Sequence, residues 1–225
     1  MTPTEILDFF KTLVDDAPDE ESSFILMDTA YTKRNDARFW SFLLKLNTSI
    51  THGVSDTWLT TKTLPADFSE PYKVFGGASD NEYDPVPFEN VLTYISAFNK
   101  YTIDYANLQM RFTGGASSAL TVYLWYKYFP TSLIGLTTAQ KVSETTIVWP
   151  KRFCPILAYD MAEMYFGGIE ADEITRQMTP FQRQAHKELT RAMIQWDARR
   201  RMKMFGDSAI QQRTGHSERP DVLNW

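Results

Sequence analysis

The period of the hydrophobic residues changes twice along the chain, and this change constrains the fold more than any other feature. Near the N-terminus apolar residues recur at helical spacing. These residues are Ile6, Phe9, Phe10, Leu13 and Val14. From about residue 47 to residue 149, Thr, Ser, Gly, Pro and aromatic residues dominate, in short alternating stretches that are typical of strands. Helical spacing then returns, so the pattern predicts helices at both chain ends and strands between them.

Start and stop signals position the predicted helices. Thr2-Pro3 resembles the start of a first helix, because Thr is a good N-cap and Pro is tolerated in the first turn. A second helical stretch is predicted roughly from Asp19 to Leu46, with the aromatic segment Arg38–Phe42 near its end. A break near Lys33–Asp36 is the alternative. Thr179-Pro180 predicts another N-terminus, followed by a long helix to about Phe205.

A further helix is predicted to begin between Pro150 and Pro155 and to stop at Gly167-Gly168, since glycine pairs commonly end helices. In the middle region Leu120–Phe129 is the strongest strand, because it is rich in aromatic and β-branched residues. Gly114-Gly115 before it is interpreted as a hairpin-like turn.

The expected fold class is therefore α+β, with a helical bundle built from both chain ends, an inserted antiparallel β region and an extended C-terminal tail. Four segments make up this prediction. They are the N-terminal bundle helices (1–46), the β-rich region (47–149), the C-terminal bundle helices (150–206) and the tail (207–225).

Charge is distributed unevenly over the 225 residues, whose formal net charge is −5. Residues 1–28 contain eight acidic residues and one basic residue, whereas residues 176–219 contain ten basic and four acidic residues. Such opposite ends either steer association between subunits or form two solvated helix faces. The candidate inter-subunit residues are Arg199, Arg200, Arg201, Lys203, Asp15, Asp16, Glu20 and Glu21.

Residues suited to catalysis or metal binding are few. The single cysteine, Cys154, is expected to be buried and structural, and His52, His186 and His216 are expected at the surface. Asp160 and Glu163 share a helix face, which favours a solvated or salt-bridged pair over a general acid and base. We expect no catalytic residue, no metal site and no cofactor.

Two further sequence features bear on cation binding and on the membrane. Asp80, Glu82 and Asp84 alternate in a loop, but without the glycine and distal glutamate of a calcium loop they predict a cation site only weakly. The chain has no apolar run of about 18 residues and begins with an acidic segment, so we expect neither a transmembrane helix nor a secretory signal.

The order of several short motifs resembles the head-to-tail adaptor proteins of tailed bacteriophages, especially those of short-tailed phages. Four motifs follow one another along the chain. They are an Arg-aromatic-Trp segment, a Leu-Pro-x-x-Phe element, a strand that ends in aromatics and proline, and a helix that starts with Trp-Pro-x-x-Phe. A long Arg-rich helix and a polar tail complete the order. The motifs are Arg38-Phe39-Trp40-Ser41-Phe42, Leu64-Pro65-Ala66-Asp67-Phe68, Tyr128-Phe129-Pro130 and Trp149-Pro150-Lys151-Arg152-Phe153.

The resemblance implies a structural protein of the virion neck, with no enzymatic activity, that forms a dodecameric ring beneath the portal protein. It also implies a lower face that receives the tail nozzle or tail-tube protein, and a conduit for double-stranded DNA. By position, the portal-docking residues would be Val222, Leu223, Asn224 and Trp225. The alternatives are another neck, tail-tube or tail-completion protein, or a small carbohydrate-binding or enzyme module that uses aromatic residues of the β region.

Overall fold

The structure is a computed structural model that describes residues 1–77, 81–95, 97, 99–167 and 178–205. It divides into two compact units. We call Met1–Phe42 together with the described residues from Thr131 onward the helical unit, and Leu43–Pro130 the strand unit. Across the described ranges, no helix has the length and apolar character needed to cross a membrane.

The helical unit contains five α-helices. They are α1 (Pro3–Leu13), α2 (Glu20–Asp36), α3 (Thr138–Lys141), α4 (Pro155–Gly167) and α5 (Pro180–Phe205). The predicted start of α1 is confirmed, because the Thr2 side chain accepts a hydrogen bond from the Glu5 backbone N–H while the Glu5 carboxylate caps the Thr2 N–H. The predicted start of α5 is confirmed as well, since the Thr179 hydroxyl accepts from the N–H of Gln182.

Helix α4 forms the centre of the helical unit. All its residues from Ile156 to Ala162 are buried, so neighbours cover it on every side. Phe9 of α1 packs edge-to-face on Tyr159, and their ring centroids are 5.5 Å apart. On the α2 side, the side chain of Asn35 accepts a 2.7 Å hydrogen bond from the Trp149 indole just before α4.

The prediction that the second helix continues to Leu46 is wrong, because α2 ends at Asp36, at the alternative break. The Trp40 side chain is 2% exposed, and its indole N–H donates to the carbonyl oxygen of Arg34. A short 3₁₀ turn at Ser41–Leu43 follows, and the first strand starts immediately after it. The chain therefore leaves the helix in order to bury Trp40, and the packing of Trp40 determines where α2 ends.

The described residues of the strand unit form eight strands in two four-stranded sheets. They are β1 (Leu44–His52), β2 (Thr61–Thr63), β3 (Phe68–Gly76), β4 (Asn81–Glu82), β5 (Asp84–Pro85), β6 (Lys100–Asp104), β7 (Gln109–Phe112) and β8 (Leu120–Tyr128). The first sheet has the order β1-β8-β3-β4, and the second has the order β2-β7-β6-β5. The predicted strand at Leu120–Phe129 is confirmed as β8, which pairs with β1 and with β3.

Residues from both sheets make up one hydrophobic core of the strand unit, including Val122, Leu124, Met110 and Phe112, all completely buried. The predicted hairpin at Gly114-Gly115 is wrong, because β7 and β8 belong to different sheets. A Cβ atom at Gly115 would lie 2.0 Å from the backbone oxygen of Val54, so glycine is required there by a close backbone approach.

The predicted fold class is wrong in its architecture. Among the described residues, 44% lie in helices and 22% in strands, but the helices do not form a bundle built from both chain ends and the strands are central. A bundle helix needs an apolar stripe along its whole length, whereas the 26-residue α5 buries only Thr190, Met193 and Asp197. The β region is mostly antiparallel, as predicted, and among its described strand pairs only β5 and β6 pair in parallel. The predicted extended tail lies outside the described residues.

Candidate functional site

An ion-pair cluster joins three helices of the helical unit around Asp160 of α4. Arg34 of α2 donates to both carboxylate oxygens of Asp160, through Nε at 2.9 Å and through Nη2. His186 of α5 places its Nε2 2.9 Å from the same carboxylate, and its ring stacks on Tyr159 with centroids 5.7 Å apart. We call Arg34, Asp160 and His186 the helix hub.

Glu163 lies at the edge of the helix hub, with its carboxylate 3.9 Å from Nδ1 of His186. The side-chain donor atoms of Asp160, Glu163 and His186 all lie within 4.8 Å of one another, a spacing that suits a metal ion. However, the Arg34 guanidinium already neutralises Asp160 and lies 3.4 Å from Nε2 of His186, so a cation would have to displace it. The arrangement therefore acts as a salt bridge between helices, which is the interpretation that the sequence favoured for Asp160 and Glu163.

A second polar anchor holds α5 near its C-terminal end. The carboxylate of Asp197 is completely buried and accepts a 2.6 Å hydrogen bond from the backbone N–H of Ser41. Nε of Arg201 lies 3.1 Å from the other oxygen, and the Arg38 guanidinium lies 4.0 Å from it. Asp197 thus ties α5 to the chain that leaves α2, with two cations beside a buried anion.

The basic residues that the sequence nominated for subunit contacts lie in two different environments. Arg201 is engaged with Asp197, and the Arg200 guanidinium lies 5.4 Å from the ring centroid of Trp196. Arg199 and Lys203 are exposed, and no ion pair joins either of them to another described residue. The four residues therefore do not act as one equivalent cluster.

The nominated acidic residues surround the connection between α1 and α2 and the first turn of α2. Asp15, Asp16, Glu20 and Glu21 are all exposed. Glu20 pairs with Lys141 at 2.5 Å, and the hydrogen bond from Lys141 is the main cause that lowers the pKa of Glu20. The backbone oxygen of Asp16 accepts a hydrogen bond from Tyr165.

His52 is completely buried in the strand unit, so its predicted surface location is wrong. Its Nε2 lies 2.6 Å from the Gly114 carbonyl oxygen, and its Nδ1 lies 2.7 Å from the Tyr83 hydroxyl. Because a carbonyl can only accept, Nε2 carries the proton and Nδ1 accepts from Tyr83. The ring also stacks on Phe112 at 4.2 Å. Burial lowers the pKa of His52, and burial raises the pKa of Tyr83.

The sequence contained no signal for either polar cluster. Arg34 and Asp160 are 126 positions apart, and His52 and Tyr83 are 31 positions apart. Helical spacing indicated only that Asp160 and Glu163 share a face. His186, predicted at the surface, is partly buried by its contacts with the helix hub.

The first sheet carries an aromatic outer face. Phe75 of β3 is the register partner of Tyr123 of β8, and Trp125 lies two residues further along β8, beside Leu46 of β1. Residues at these alternating positions point away from the core that Val122 and Leu124 fill. Leu46 is 44% exposed, so this face offers apolar contact area rather than a pocket with converging polar groups.

The remaining candidates have simple environments. Cys154 is buried, as predicted, and burial raises the pKa of its thiol. In the candidate cation loop Glu82 pairs with Lys73 and Asp84 pairs with Lys100, so lysines already neutralise these carboxylates, while Asp80 lies outside the described residues. His216 and the tail residues Val222, Leu223, Asn224 and Trp225 lie outside the described residues as well.

Comparison with known proteins returns no match: no protein-family model fits the chain, and no curated protein is similar to it.

Proposed function

We propose that the chain is a structural head-to-tail adaptor of a tailed bacteriophage. In this role it joins the portal protein to the tail nozzle or tail-tube protein and lines the conduit for double-stranded DNA. Copies of the chain form a homo-oligomeric ring, a dodecamer as the resemblance implies, in the neck of the virion. Assembly takes place in the host cytoplasm. The protein works through contact and performs no catalysis.

One observation supports the proposal. The polar groups of the described clusters have partners within the protein, whereas unpaired charges and aromatic side chains lie at its surface. Asp160 is paired with Arg34, Asp197 is paired with Arg201, and His52 has a partner on each ring nitrogen. A catalytic group needs a position that substrate can reach, but these groups are occupied by their neighbours. The surface therefore suits association with other proteins better than chemistry on a substrate.

Three of the four motifs behind the resemblance contain buried anchors. Trp40, Leu64 and Phe68 are buried, and so are Trp149 and Phe153 at the entrance to α4. Buried anchors in a shared order support a likeness of fold to the adaptor family. The role of the C-terminal residues depends on the resemblance alone.

The charge of the chain is compatible with a DNA conduit. The formal net charge is −5, and a negatively charged lumen would repel the phosphate backbone and would not retain passing DNA. An apolar tip at Val222-Leu223 and Trp225 suits insertion between subunits of a portal ring, because aromatic and aliphatic anchors dominate the energy of such contacts.

Deletion of residues 207–225 tests the proposal. We expect the full chain to form a ring, alone or on its portal protein, that electron microscopy places in the neck of the particle. The truncated chain should keep the same circular dichroism spectrum and lose portal binding. A full-length variant with Leu223→Ser and Trp225→Ser is the matched control, because it keeps the length and removes only the apolar tip.

Both variants should lose portal binding if the tip docks on the portal. Unchanged binding by the truncated chain would rule out docking through the tail. A wild-type protein that forms no ring and binds no portal would rule out the adaptor role itself.

A further inference from the structure

Exposed basic side chains recur at every fourth position along α5. The exposed residues of this row are Arg183, Lys187, Arg191, Gln195, Arg199 and Lys203, so five of the six positions are basic. A helix rises 1.5 Å per residue, so the row is about 30 Å long. We call the five cations the basic row. The only exposed acid of α5 is Glu188, which accepts a hydrogen bond from Gln184.

The basic row winds around α5, because each fourth residue advances by about 40° and the six positions span about 200°. The middle of the row lies opposite the buried side of the helix. Successive helical residues are about 100° apart around the axis, so Arg191 lies nearly opposite Met193, which is 1% exposed. The buried side of α5 is held by His186 and Asp197, as described above. The basic row is thus presented to whatever contacts the molecule from outside.

The cations of the basic row differ from several other cations of the helical unit in having no anionic partner among the described residues. Arg34, Lys141 and Arg201 all pair with acids of the same unit. A row of five like charges without counter-charges is unfavourable for the isolated chain, so a partner that supplies negative charge would relieve the repulsion.

The same unit also displays the opposite charge. The segment Asp15–Glu21, which we call the acidic segment, contains five acids, and all are exposed. Asp19 caps α2 and Glu20 pairs with Lys141, but no ion pair joins the acidic segment to the basic row. Both surfaces belong to the helical unit and no ion pair joins them among the described residues, so a second copy offers each of them a counter-charge.

We propose that the basic row of one copy docks on the acidic segment of a second copy. This inference rests on the proposed ring, because two different surfaces make a heterologous contact that leaves one of each free and repeats until the ring closes. Each exposed pair is worth little, about 0–1 kcal/mol, so the contact orients and steers subunits and is weakened by salt. DNA would also attract the row, but the acidic segments of the same ring would repel its phosphates.

A charge-swap experiment tests the contact. One variant reverses the row with Arg183→Glu, Lys187→Glu and Arg191→Glu, and the other reverses the segment with Asp15→Lys, Asp16→Lys and Glu21→Lys. All six positions are exposed, and the caps and pairs of Asp19 and Glu20 are left intact. Circular dichroism verifies that both variants fold.

Each variant alone brings like charges together at every contact, so we expect its assembly at low salt, in the presence of portal protein, to weaken about tenfold or more. An equal mixture should assemble again, because each copy now complements its two neighbours and the variants alternate around an even ring. Mass photometry measures the rings directly.

Normal assembly of either variant alone would overturn the inference and leave the adaptor proposal standing. A row-reversed variant that assembles normally but loses retention on DNA would assign the row to nucleic acid, which also overturns it. A wild-type chain that never assembles would overturn both proposals.

Discussion

His52 shows how one buried residue makes the stability of the strand unit depend on pH. The ring is completely buried in its neutral form, with its Nε2 proton donated to Gly114 and its Nδ1 accepting from Tyr83. Burial lowers its pKa below the ordinary value of 6.5. Below that value the unfolded chain takes up a proton that the folded chain does not, so acid favours unfolding.

We therefore expect the free energy of unfolding of the strand unit to fall between about pH 7 and pH 5, with a slope of at most about 1.4 kcal/mol per pH unit. His52→Gln is the matched variant, because its amide can donate and accept in similar directions but does not titrate. Its stability should change less over this pH range. Urea denaturation at several pH values measures both slopes, and equal slopes would contradict the role of His52.

At the scale of elements, α5 depends on polar anchors more than on an apolar stripe. Only Thr190, Met193 and Asp197 are buried along its length. Asp197 is the strongest anchor, because its carboxylate is completely buried and accepts from Ser41 beside Arg201 and Arg38. Removing it takes away the acceptor of the Ser41 N–H and the negative charge beside two cations.

We expect Asp197→Ala to destabilise the helical unit by about 2–4 kcal/mol, since a buried acceptor and its charge are both lost. Glu188→Ala on the same helix is the control and should cost less than about 0.5 kcal/mol, because Glu188 is exposed. Thermal unfolding followed by circular dichroism at 222 nm compares the two variants. Equal effects would show that Asp197 is not an anchor.

The helix boundaries illustrate what local sequence can predict. The starts of α1 and α5 followed from Thr2 and Thr179, because a cap acts on N–H groups only three residues away. The end of α2 was predicted only as an alternative break, because it depends on the burial of Trp40 in a core assembled from distant segments. Strand β8 was predictable from its composition, whereas its pairing with β1 and with β3 was not.

At the scale of the whole molecule, the strand unit is inserted between the two halves of the helical unit. Lengthening a flexible loop costs only about 0.6 kcal/mol for each doubling of its length, so the helical unit can stay folded when the inserted segment unfolds.

Gly115→Ala places a Cβ 2.0 Å from the backbone oxygen of Val54 and should destabilise the strand unit by about 1–3 kcal/mol. Gly53→Ala is the control, since its Cβ would meet Asp56 at an ordinary 3.4 Å.

Two probes separate the units. Hydrogen exchange in β8 should accelerate in Gly115→Ala, while modification of the buried Cys154 thiol by an aromatic disulfide should keep its wild-type rate. Faster labelling of Cys154 in Gly115→Ala, but not in Gly53→Ala, would show that the two units unfold together.

The sequence by itself determined the helical ends, the strand texture of the middle, the caps of α1 and α5, and the separation of charge. These properties depend on residues within a few positions of one another, or on composition. Only the tertiary structure decided that the helices form no bundle, that Arg34 neutralises Asp160, that His52 is buried and that the basic row has no partner within its own unit. Such contacts join residues far apart in the chain, and the local sequence around one residue does not indicate which distant residue it contacts.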